Sequence, residues 1–458
     1  MKAKIENTLS LQQNYFSSGI TLNIKHRLKH LKLLYSTIKN NIDMISEALN
    51  KDLGKSYSES YMTEIGMVLN GLSYMIKNVK RLSKPRACKT PLAQFHAKSY
   101  QIPSPYGNVL VMSPWNYPFL LTMDPLVEAI AAGNTVIVKP SKYSPYTSEA
   151  IKKLLEQVFD EKYVAVFFGG AEVNQVLIDL KFDYIFFTGG KTVGQIVYEK
   201  ATKNLTPVTL ELGGKSPCII DRKCNLKLAA RRIAWGKYLN CGQTCVAPDY
   251  VLCDEGVYDQ FIELLKNEIV KQYSQNPIDN EAYGKMINEK HFNRASALLD
   301  NSKIYYGGRI DKEKLKIEPT IMTNVTLDDA IMKEEIFAPI LPIIKVKNID
   351  ESIEIIRKQE VPLAFYIFSN DKKLIKSLLY KMEFGGGCVN DVVMHLASSY
   401  LSFGGFKHSG MGSYHGKTGF QTFSHYKSIL DKKNWIDMPM RYKPSSKFKD
   451  KLIRIFLK

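Results

Sequence analysis

The chain has 458 residues, of which 45% are hydrophobic and 24% are charged, with 28 glycines and 19 prolines. This composition excludes a disordered chain, a collagen and a low-complexity polymer, and the length suggests about three structural units. Lys and Arg outnumber Asp and Glu by 63 to 45, which gives a formal net charge of +18. Such a surplus is typical of proteins that bind nucleic acid, an anionic membrane surface or a phosphate-bearing ligand. The positions of the charges must decide between these classes.

The seven cysteines do not form a disulfide or zinc-binding pattern, because they are scattered and none belongs to a C-x-x-C pair. No stretch has the apolar length of a signal peptide or of a transmembrane helix. We therefore expect a cytoplasmic chain in a reducing compartment, without a metal site, in which a single cysteine can still be reactive.

The N-terminal part is predicted to be helical, and the chain after it to alternate between strands and helices. Leucines and isoleucines from Leu28 to Leu49 recur at three- and four-residue steps, and Gly54 is placed to end that helix. From about Gly107, short apolar runs alternate with helix-length segments, in three blocks that extend to about residue 384. This alternation predicts βαβ units, and hence an α/β fold whose parallel sheets are covered by helices on both faces.

The end of the chain is strongly basic. Residues 441–458 contain seven Lys or Arg and one Asp, a local net charge of +6, and Phe448, Leu452, Ile455 and Phe456 fall on one face of a helix. We predict peripheral contact of this tail with an anionic membrane; a solvated extension or a strand-capping arm is the alternative. No nucleic-acid recognition motif accompanies the remaining charge, so nucleic-acid binding is not expected.

Two segments carry groups suited to covalent catalysis. Cys245 lies in a Gly-Gln-Thr-Cys turn after a predicted helix, where a thiol can reach a ligand and its backbone N–H can point at an oxyanion. The alternative is a small buried hydrophobe, the usual role of a free cysteine. Glu211 ends an apolar strand, where a lone carboxylate is costly unless it is paired or wet. It is therefore a candidate general base with a raised pKa.

Two further segments follow predicted strands. Asn116 lies between two prolines and offers an amide donor where α/β folds bind ligands, and an Asx turn is an equally good interpretation. The glycine-rich turn with Gly189 and Gly194 leads into a helix, whose N-terminus favours a phosphate. Its spacing is not that of the common dinucleotide fingerprint.

Charged residues near two other predicted turns complete the set. Lys139 and Lys142 follow the second strand, where a ribose or a phosphate can be bound, and Glu335 stands two residues before Phe337. Each of these alone is equally compatible with a turn or a solvated charge. Together with the thiol, the carboxylate, the amide and the glycine turn, they predict covalent catalysis with a dinucleotide cofactor.

These motifs resemble the aldehyde dehydrogenase superfamily, in which all six occur in this order, here between residues 114 and 339. The closer resemblance is to the class 3 branch, which includes fatty-aldehyde and aromatic-aldehyde dehydrogenases. That resemblance rests on the short N-terminus and on residues 51–55, 63–66, 234–238, 245–250, 389–395, 403–405, 409–412 and 414–417.

The resemblance implies an aldehyde dehydrogenase-like α/β fold with two doubly wound domains, a β bridging arm and a homodimer. The predicted NAD(P)-binding domain comprises residues 1–80 and 101–207, the catalytic domain 208–388, the bridging and oligomerisation arm 81–100 and 389–430, and the basic amphipathic tail 431–458.

The resemblance further implies NAD(P)-dependent oxidation of an apolar aldehyde, medium-chain, long-chain or aromatic, to the carboxylic acid. Cys245 would form a thiohemiacetal and then a thioester, with the oxyanion held by the Asn116 amide and the Cys245 N–H. Glu211 would activate the hydrolytic water, and Tyr117 and Trp235 would line an apolar tunnel.

For the cofactor, the resemblance implies that Lys139 and Glu335 hold the two riboses and that Phe337 packs near the nicotinamide. Gly189 and Gly194 would face the pyrophosphate. The family often has Glu at the position of Lys142, and a lysine there attracts a 2′-phosphate, so use of NADP is predicted.

Two alternatives stay open: a CoA-acylating aldehyde dehydrogenase, and a non-catalytic membrane-peripheral relative. Glu211 argues against the first, because a positioned base serves hydrolysis. The presence of both Cys245 and Glu211 argues against the second.

Overall fold

In the computed structural model, which describes residues 1–457, helices cover two mainly parallel sheets, and a smaller antiparallel sheet stands apart from them. The helices are α1 (Lys2–Ser17), α2 (Ile24–Asn40), α3 (Ile42–Leu53), α4 (Tyr57–Ser60), α5 (Gly66–Leu82), α6 (Leu120–Ala132), α7 (Pro145–Glu156), α8 (Ala171–Asp179), α9 (Lys191–Thr202), α10 (Leu226–Tyr238), α11 (Tyr258–Tyr273), α12 (Glu289–Ser296), α13 (Ile349–Arg357), α14 (Lys372–Lys381), α15 (Gly416–Thr422) and α16 (Lys447–Phe456).

The strands are β1 (Arg86–Cys88), β2 (Ala97–Pro105), β3 (Asn108–Met112), β4 (Thr135–Lys139), β5 (Val164–Val166), β6 (Tyr184–Thr188), β7 (Val208–Glu211), β8 (Pro217–Ile220), β9 (Tyr250–Asp254), β10 (Ile304–Tyr306), β11 (Ile310–Asp311), β12 (Lys316–Ile317), β13 (Thr320–Met322), β14 (Ile340–Val346), β15 (Ala364–Phe368), β16 (Gly386–Val389), β17 (Gly410–Met411) and β18 (Ser424–Lys432).

The first sheet has six strands in the order β17-β7-β6-β3-β4-β5. Strands β3 to β7 are parallel to one another, and β17 adds an antiparallel edge. Their side chains are almost entirely buried, as expected for parallel strands with helices on both faces. Lys139, Thr188 and Glu211 are the last residues of β4, β6 and β7, so all three lie at the carboxyl edge of this sheet.

The second sheet has seven strands in the order β10-β13-β14-β9-β8-β15-β16. All neighbouring pairs are parallel except β10 with β13. Helix α10 precedes β9, and the irregular segment 239–249 joins them. This segment contains Cys245, and Asn240 and Cys241 within it have left-handed backbone angles.

The third sheet has three antiparallel strands in the order β1-β2-β18. Two predicted boundaries fall inside its strands, because β2 runs on to Pro105 and β18 to Lys432. The boundary at residue 207 is wrong in giving β7 to the catalytic domain, since β7 pairs with β6 and continues the first sheet. The rest of the predicted division into domains stays a prediction.

The predicted N-terminal helical region is present as α2, α3 and α5, but the single helix predicted through Leu28 and Leu49 is divided at Asn41, which separates α2 from α3. Gly54 ends α3 with a left-handed φ of 67°. Helix α1 was not expected from the sequence, because only four of its residues are buried. One of them, Gln12, donates from Nε2 to the backbone oxygens of Val136 and Glu161 and so attaches α1 to the first sheet.

The tail forms α16, and its serine N-cap, Ser446, accepts a hydrogen bond from the Lys449 N–H. Phe448 and Ile455 on this helix are exposed. Among residues 1–457, no helix combines the length and the apolar character that crossing a membrane requires.

Candidate active site

Cys245 is half-buried, in the segment between α10 and β9. Burial raises the pKa of its thiol to about 12, and the charges of Glu335 and Glu211 act in the same direction. The backbone N–H groups of Cys245 and Val246 bond to the sulfur and partly oppose this rise. The thiol therefore lies beside two backbone donors, which favour the thiolate, and beside two carboxylates, which disfavour it, so its proton must be removed before it can attack a carbonyl group.

Glu211 is 2% exposed, and neither of its carboxylate oxygens has a hydrogen-bond partner within residues 1–457. Burial raises the pKa of this carboxyl group well above its usual range. A buried carboxylate without a partner is costly, so this position is explained better by chemistry than by stability. Gly189, in the glycine turn, donates its N–H to the backbone oxygen of Glu211, so the turn and the carboxylate are neighbours.

The loop with Asn116 and the turn with Cys245 are bound to each other. Asn116 is buried, and its Nδ2 donates to the backbone oxygen of Gln243 at 3.0 Å. The hydroxyl groups of Tyr117 and Thr244 are 2.6 Å apart. Gln243 in turn uses its side-chain amide to bond the backbone of Asn240, Lys285 and Ile287. These bonds place the Asn116 amide beside the residues that precede Cys245.

The glycine turn leads directly from β6 into α9, a helix of 12 residues that begins after Gly190. Gly194, in the first turns of α9, packs closely: a Cβ atom there would lie 2.7 Å from Leu212 Cδ2, so the Leu212 side chain would have to move. The N-terminus of α9 therefore lies beside Glu211 at the carboxyl edge of the first sheet, an arrangement that suits a phosphate.

Lys139 is 5% exposed, and its ammonium group has no hydrogen bond or ion pair within the part of the chain that the structure describes. Burial lowers its pKa to about 8, while Glu172 acts against this and Lys142 with it. Next to it, a cavity of about 450 Å³ is lined by Pro140, Ser141, Lys142, Pro145, Tyr146, Ser148, Glu149, Phe168 and Gly169. An unpaired ammonium group beside a mainly apolar cavity fits a ribose and the aromatic base attached to it.

Glu335 lies against the segment that follows β7. A Cβ atom on Gly213 would be 2.1 Å from its Oε2, so only a glycine leaves room for this carboxylate. Burial and the charge of Asp249 raise the pKa of Glu335 to about 8. Two residues on, the ring of Phe337 meets that of Trp115 edge to face, with centroids 5.5 Å apart. Phe337 therefore stands next to the loop that carries Asn116.

Two buried lysines near Glu335 were not recognised from the sequence. Lys215 forms a 2.5 Å ion pair with Asp249 and donates to the backbone oxygens of residues 331 and 334, which fixes the segment leading to Glu335. Lys237 is fully buried without a hydrogen-bond partner in residues 1–457, and burial lowers its pKa to about 8. No local pattern signals them, because the partners of Lys215 are distant in sequence and Lys237 is buried by the tertiary fold.

Of the predicted substrate residues, Tyr117 is buried in the Asn116 loop, whereas Trp235 is half-buried on α10. A hydrogen bond connects Tyr117 with the Cys245 turn, whereas within residues 1–457 no hydrogen bond joins Trp235 to either loop. Among the described residues, no group of three His, Cys, Asp or Glu side chains is arranged to hold a metal ion.

Comparison with known proteins identifies the family to which the chain belongs. The aldehyde dehydrogenase family model matches residues 2–429. The chain is 45% identical over 456 residues to 4,4'-diaponeurosporen-aldehyde dehydrogenase of Staphylococcus aureus, with 99% of each chain covered. It is 44% identical to aldehyde dehydrogenase family 3 member A2 of Mus musculus, covering 96% of this chain and 92% of the relative. It is 42% identical to the dimeric NADP-preferring aldehyde dehydrogenase of Rattus norvegicus, covering 97% and 98%.

Among solved structures, the substrate-bound state of Staphylococcus aureus AldH matches with a TM-score of 0.97 and 45% identity over 99% of both chains. A glyceraldehyde-3-phosphate dehydrogenase of Methanocaldococcus jannaschii, complexed with NADP, matches with a TM-score of 0.85 and 26% identity, covering 94% and 95%. The fold is therefore the aldehyde dehydrogenase-like α/β fold, as predicted.

The chain belongs to the aldehyde dehydrogenase family, and its relatives include members of family 3, the predicted branch. It is an enzyme that oxidises an aldehyde with NAD or NADP as the cofactor.

Proposed function

We propose that Cys245 is the nucleophile, Asn116 the side-chain oxyanion donor and Glu211 the base that activates water. The observation that carries this proposal is the position of Glu211: a buried carboxylate without a partner, close enough to Cys245 for its charge to raise the pKa of the thiol. A structural carboxylate would be paired, whereas a base must be free to take a proton from water.

In the proposed reaction, the Cys245 thiol first loses its proton to solvent, and the resulting thiolate attacks the carbonyl carbon and forms a thiohemiacetal. The negative oxygen accepts hydrogen bonds from the Asn116 amide and the Cys245 N–H, each worth about 3–4 kcal/mol in comparable sites. Bound NAD(P) supplies the hydride acceptor that turns this adduct into a thioester. Glu211 then takes a proton from water, the resulting hydroxide attacks the thioester, and the carboxylic acid leaves as the thiolate is restored.

The cofactor would be held by the residues at the carboxyl edge of the first sheet. The unpaired ammonium group of Lys139 and the carboxylate of Glu335 would bind ribose hydroxyls, the N-terminus of α9 with Gly189 and Gly194 the pyrophosphate, and Phe337 would lie beside the nicotinamide. We propose that Lys142 favours NADP, because its exposed ammonium group borders the 450 Å³ cavity and would attract a 2′-phosphate.

The substrate that we propose is an apolar aldehyde, aliphatic or aromatic, with Tyr117 and Trp235 lining its path. Support comes from the buried aromatic ring of Tyr117 beside Asn116 and from the similarity to a relative named for 4,4'-diaponeurosporen-aldehyde. Alkanals of increasing length and aromatic aldehydes, each assayed with both cofactors, should show kcat/KM rising with apolar surface. A preference for short, charged aldehydes would contradict this substrate class.

Glu211→Gln tests the proposed roles. With an alkanal and NAD(P) but without CoA, the unaltered protein should form NAD(P)H continuously. The variant should form about one equivalent per site and then stop, because its thioester cannot be hydrolysed, and Cys245→Ala should form none. The mass of the intact stalled protein should increase by that of the acyl group. Full turnover by Glu211→Gln would reject the base, and a strict need for CoA in the unaltered protein would favour the CoA-acylating alternative.

We also propose a homodimer. Strand β18 forms one edge of the β1-β2-β18 sheet, is nine residues long and exposes Ile429 and Leu430, and such an edge is a template for pairing with another chain. Sedimentation equilibrium should give about twice the chain mass of 52.1 kDa. The mass of a single chain at micromolar concentration would reject the dimer.

Finally, we propose that the tail places the enzyme on an anionic membrane surface. Helix α16 presents exposed Phe448 and Ile455 among basic residues, a combination typical of helices that lie in the lipid headgroup region. An apolar aldehyde dissolved in the membrane would then be close to the site.

A further inference from the structure

A buried ion pair lies behind the Asn116 loop. Lys55, between α3 and α4, and Glu64, just before α5, are both completely buried, and Lys55 Nζ is 2.6 Å from Glu64 Oε1. Removing two charges from water costs several kcal/mol per ion, so such a pair is weak evidence of stabilisation by itself. What the pair does with its remaining hydrogen bonds is therefore informative.

Glu64 holds the start of α6. Its second oxygen, Oε2, accepts the backbone N–H of Phe119 at 2.8 Å and that of Leu120 at 3.1 Å. These N–H groups lie at the N-terminus of α6, where helical backbone donors have no partner within the helix and a negative charge is favourable. The carboxylate thus fixes the end of the loop that runs from Trp115 to α6.

Lys55 holds the other end of the same loop. Its Nζ donates to the backbone oxygen of Asn116 at 3.2 Å and lies 3.9 Å from the centre of the Tyr117 ring. The same oxygen of Asn116 also accepts a hydrogen bond from Asn240 Nδ2 at 2.7 Å. Two side chains therefore hold the backbone oxygen of Asn116, while its own side-chain amide is bonded to the backbone oxygen of Gln243.

We propose that the Lys55–Glu64 pair positions Asn116 for oxyanion binding, an inference that rests on the proposed role of Asn116. A hydrogen-bond donor stabilises a transition state only if it is already in place when the charge develops, and a small displacement costs much of its effect. Lys55 and Glu64 do not touch the reacting atoms. They act through the loop, at Asn116 on one side and at the first N–H groups of α6 on the other.

A double-mutant cycle tests this proposal. Asn116→Ala should lower kcat/KM for the aldehyde about 10²- to 10³-fold, and Lys55→Met about 10-fold or more. If Lys55 acts through Asn116, Lys55→Met should cost less than about threefold once Asn116 is alanine. The KM for the cofactor should stay unchanged. Cys245 should react with iodoacetamide at the unaltered rate in all variants, because alkylation needs no oxyanion donor.

Arg27→Met is the matched control. Arg27 is also a buried cation bonded to α6, but at the opposite end, where its guanidinium group donates to the backbone oxygen of Ala131 at 2.7 Å. This variant should lower the Tm as Lys55→Met does while keeping kcat/KM within about threefold of the unaltered value. Glu64→Gln gives a second cycle with Asn116→Ala if Lys55→Met fails to fold, since glutamine keeps an acceptor for the N–H groups of α6.

The outcomes separate the two proposals. The positioning role would be overturned if Lys55→Met, or Glu64→Gln, lowered kcat/KM by the same factor in the unaltered protein and in Asn116→Ala. Asn116 would then still be the oxyanion donor. An unaltered rate in Asn116→Ala would instead reject Asn116 as the donor and with it the proposed function of that residue. A loss in Arg27→Met as large as that in Lys55→Met would also overturn positioning, because any weakening of α6 would then suffice.

Discussion

The carboxylate of Glu211 raises the pKa of the Cys245 thiol, although the two residues come from different sheets. Glu211 ends β7 in the first sheet, and Cys245 precedes β9 in the second. The charge of Glu211 raises the pKa of Cys245, as does that of Glu335 to a greater extent, and burial contributes most. In the protein without cofactor, the thiol is therefore largely protonated at neutral pH.

This pairing predicts how Cys245 reacts with iodoacetamide. Since the thiolate is the reactive form and the pKa is raised to about 12, the alkylation rate should still be rising at pH 10. Glu335→Gln removes a negative charge and so lowers the pKa of the thiol. A decrease of up to about one pKa unit should speed alkylation at pH 8 about two- to tenfold. Mass spectrometry of the peptide containing Cys245 gives the rate, and exposed Cys88 is an internal reference. A rate at Cys245 that levels off near pH 8 would contradict the effect of burial.

Lys142→Glu tests the preference for NADP. The substitution replaces an attractive charge by one that repels a 2′-phosphate, so kcat/KM for NADP should fall at least about tenfold while that for NAD stays level or rises. Lys153→Glu is the control, because it makes the same charge change at an exposed position on α7, outside the cavity lining. Strong NAD preference that neither substitution alters would refute the role of Lys142.

Removal of the tail tests membrane contact. A chain of residues 1–440 lacks α16 and all seven Lys and Arg residues of the segment 441–458, so it should lose co-sedimentation with liposomes containing phosphatidylserine while keeping kcat/KM for a water-soluble aldehyde. In the full chain, Phe448→Ser with Ile455→Ser should weaken binding without changing the net charge. Equal binding of the full and shortened chains would show that α16 is not the contact.

The buried carboxyl group of Glu128 should make the stability of the protein depend on pH. It is buried one turn from Asp124 on α6, and burial with the charge of Asp124 raises its pKa well above the usual range, against an opposing effect of the His415 and Gly416 N–H groups. Two other ionisable side chains lie here: Tyr414, which interacts with both carboxyl groups, and His415, whose Nε2 is 3.3 Å from Asp124 Oδ2. An acid whose pKa is raised by folding contributes its full stability below its unfolded pKa and loses it as the pH rises through the folded pKa.

Glu128→Gln should remove the loss of stability that Glu128 causes as the pH rises. Glutamine is uncharged at every pH and keeps an oxygen that accepts hydrogen bonds from the backbone N–H groups. Relative to the unaltered protein, the variant should therefore become progressively more stable as the pH rises from 5 to 9. Tm values at pH 5, 7 and 9 measure the trend, with exposed Glu354→Gln as the control. A difference in Tm between Glu128→Gln and the unaltered protein that stays constant from pH 5 to pH 9 would refute this effect of Glu128.

Local patterns in the sequence predict much of this fold. Each parallel strand is a short apolar run, and in the covering helices the apolar residues repeat every three to four positions. The boundary near β7 fails for the same reason: the run at 208–211 looks the same whichever sheet it joins. Glu211 and Cys245 could be found because a charged or reactive group stands at a strand end or a turn. Lys55 and Glu64 could not be assigned a role, because Lys55 bonds Asn116, 61 residues away, and no local spacing records that contact.

The residues of the proposed site come from loops that are distant along the chain. Asn116 meets Gln243 across 127 residues, and Glu211 belongs to a different sheet from Cys245. A refolding chain can therefore complete its individual sheets before it has any catalytic power. Recovery of aldehyde oxidation should lag behind recovery of secondary structure, so activity is a late marker of renaturation. A fragment that ends before residue 245 should not turn over substrate.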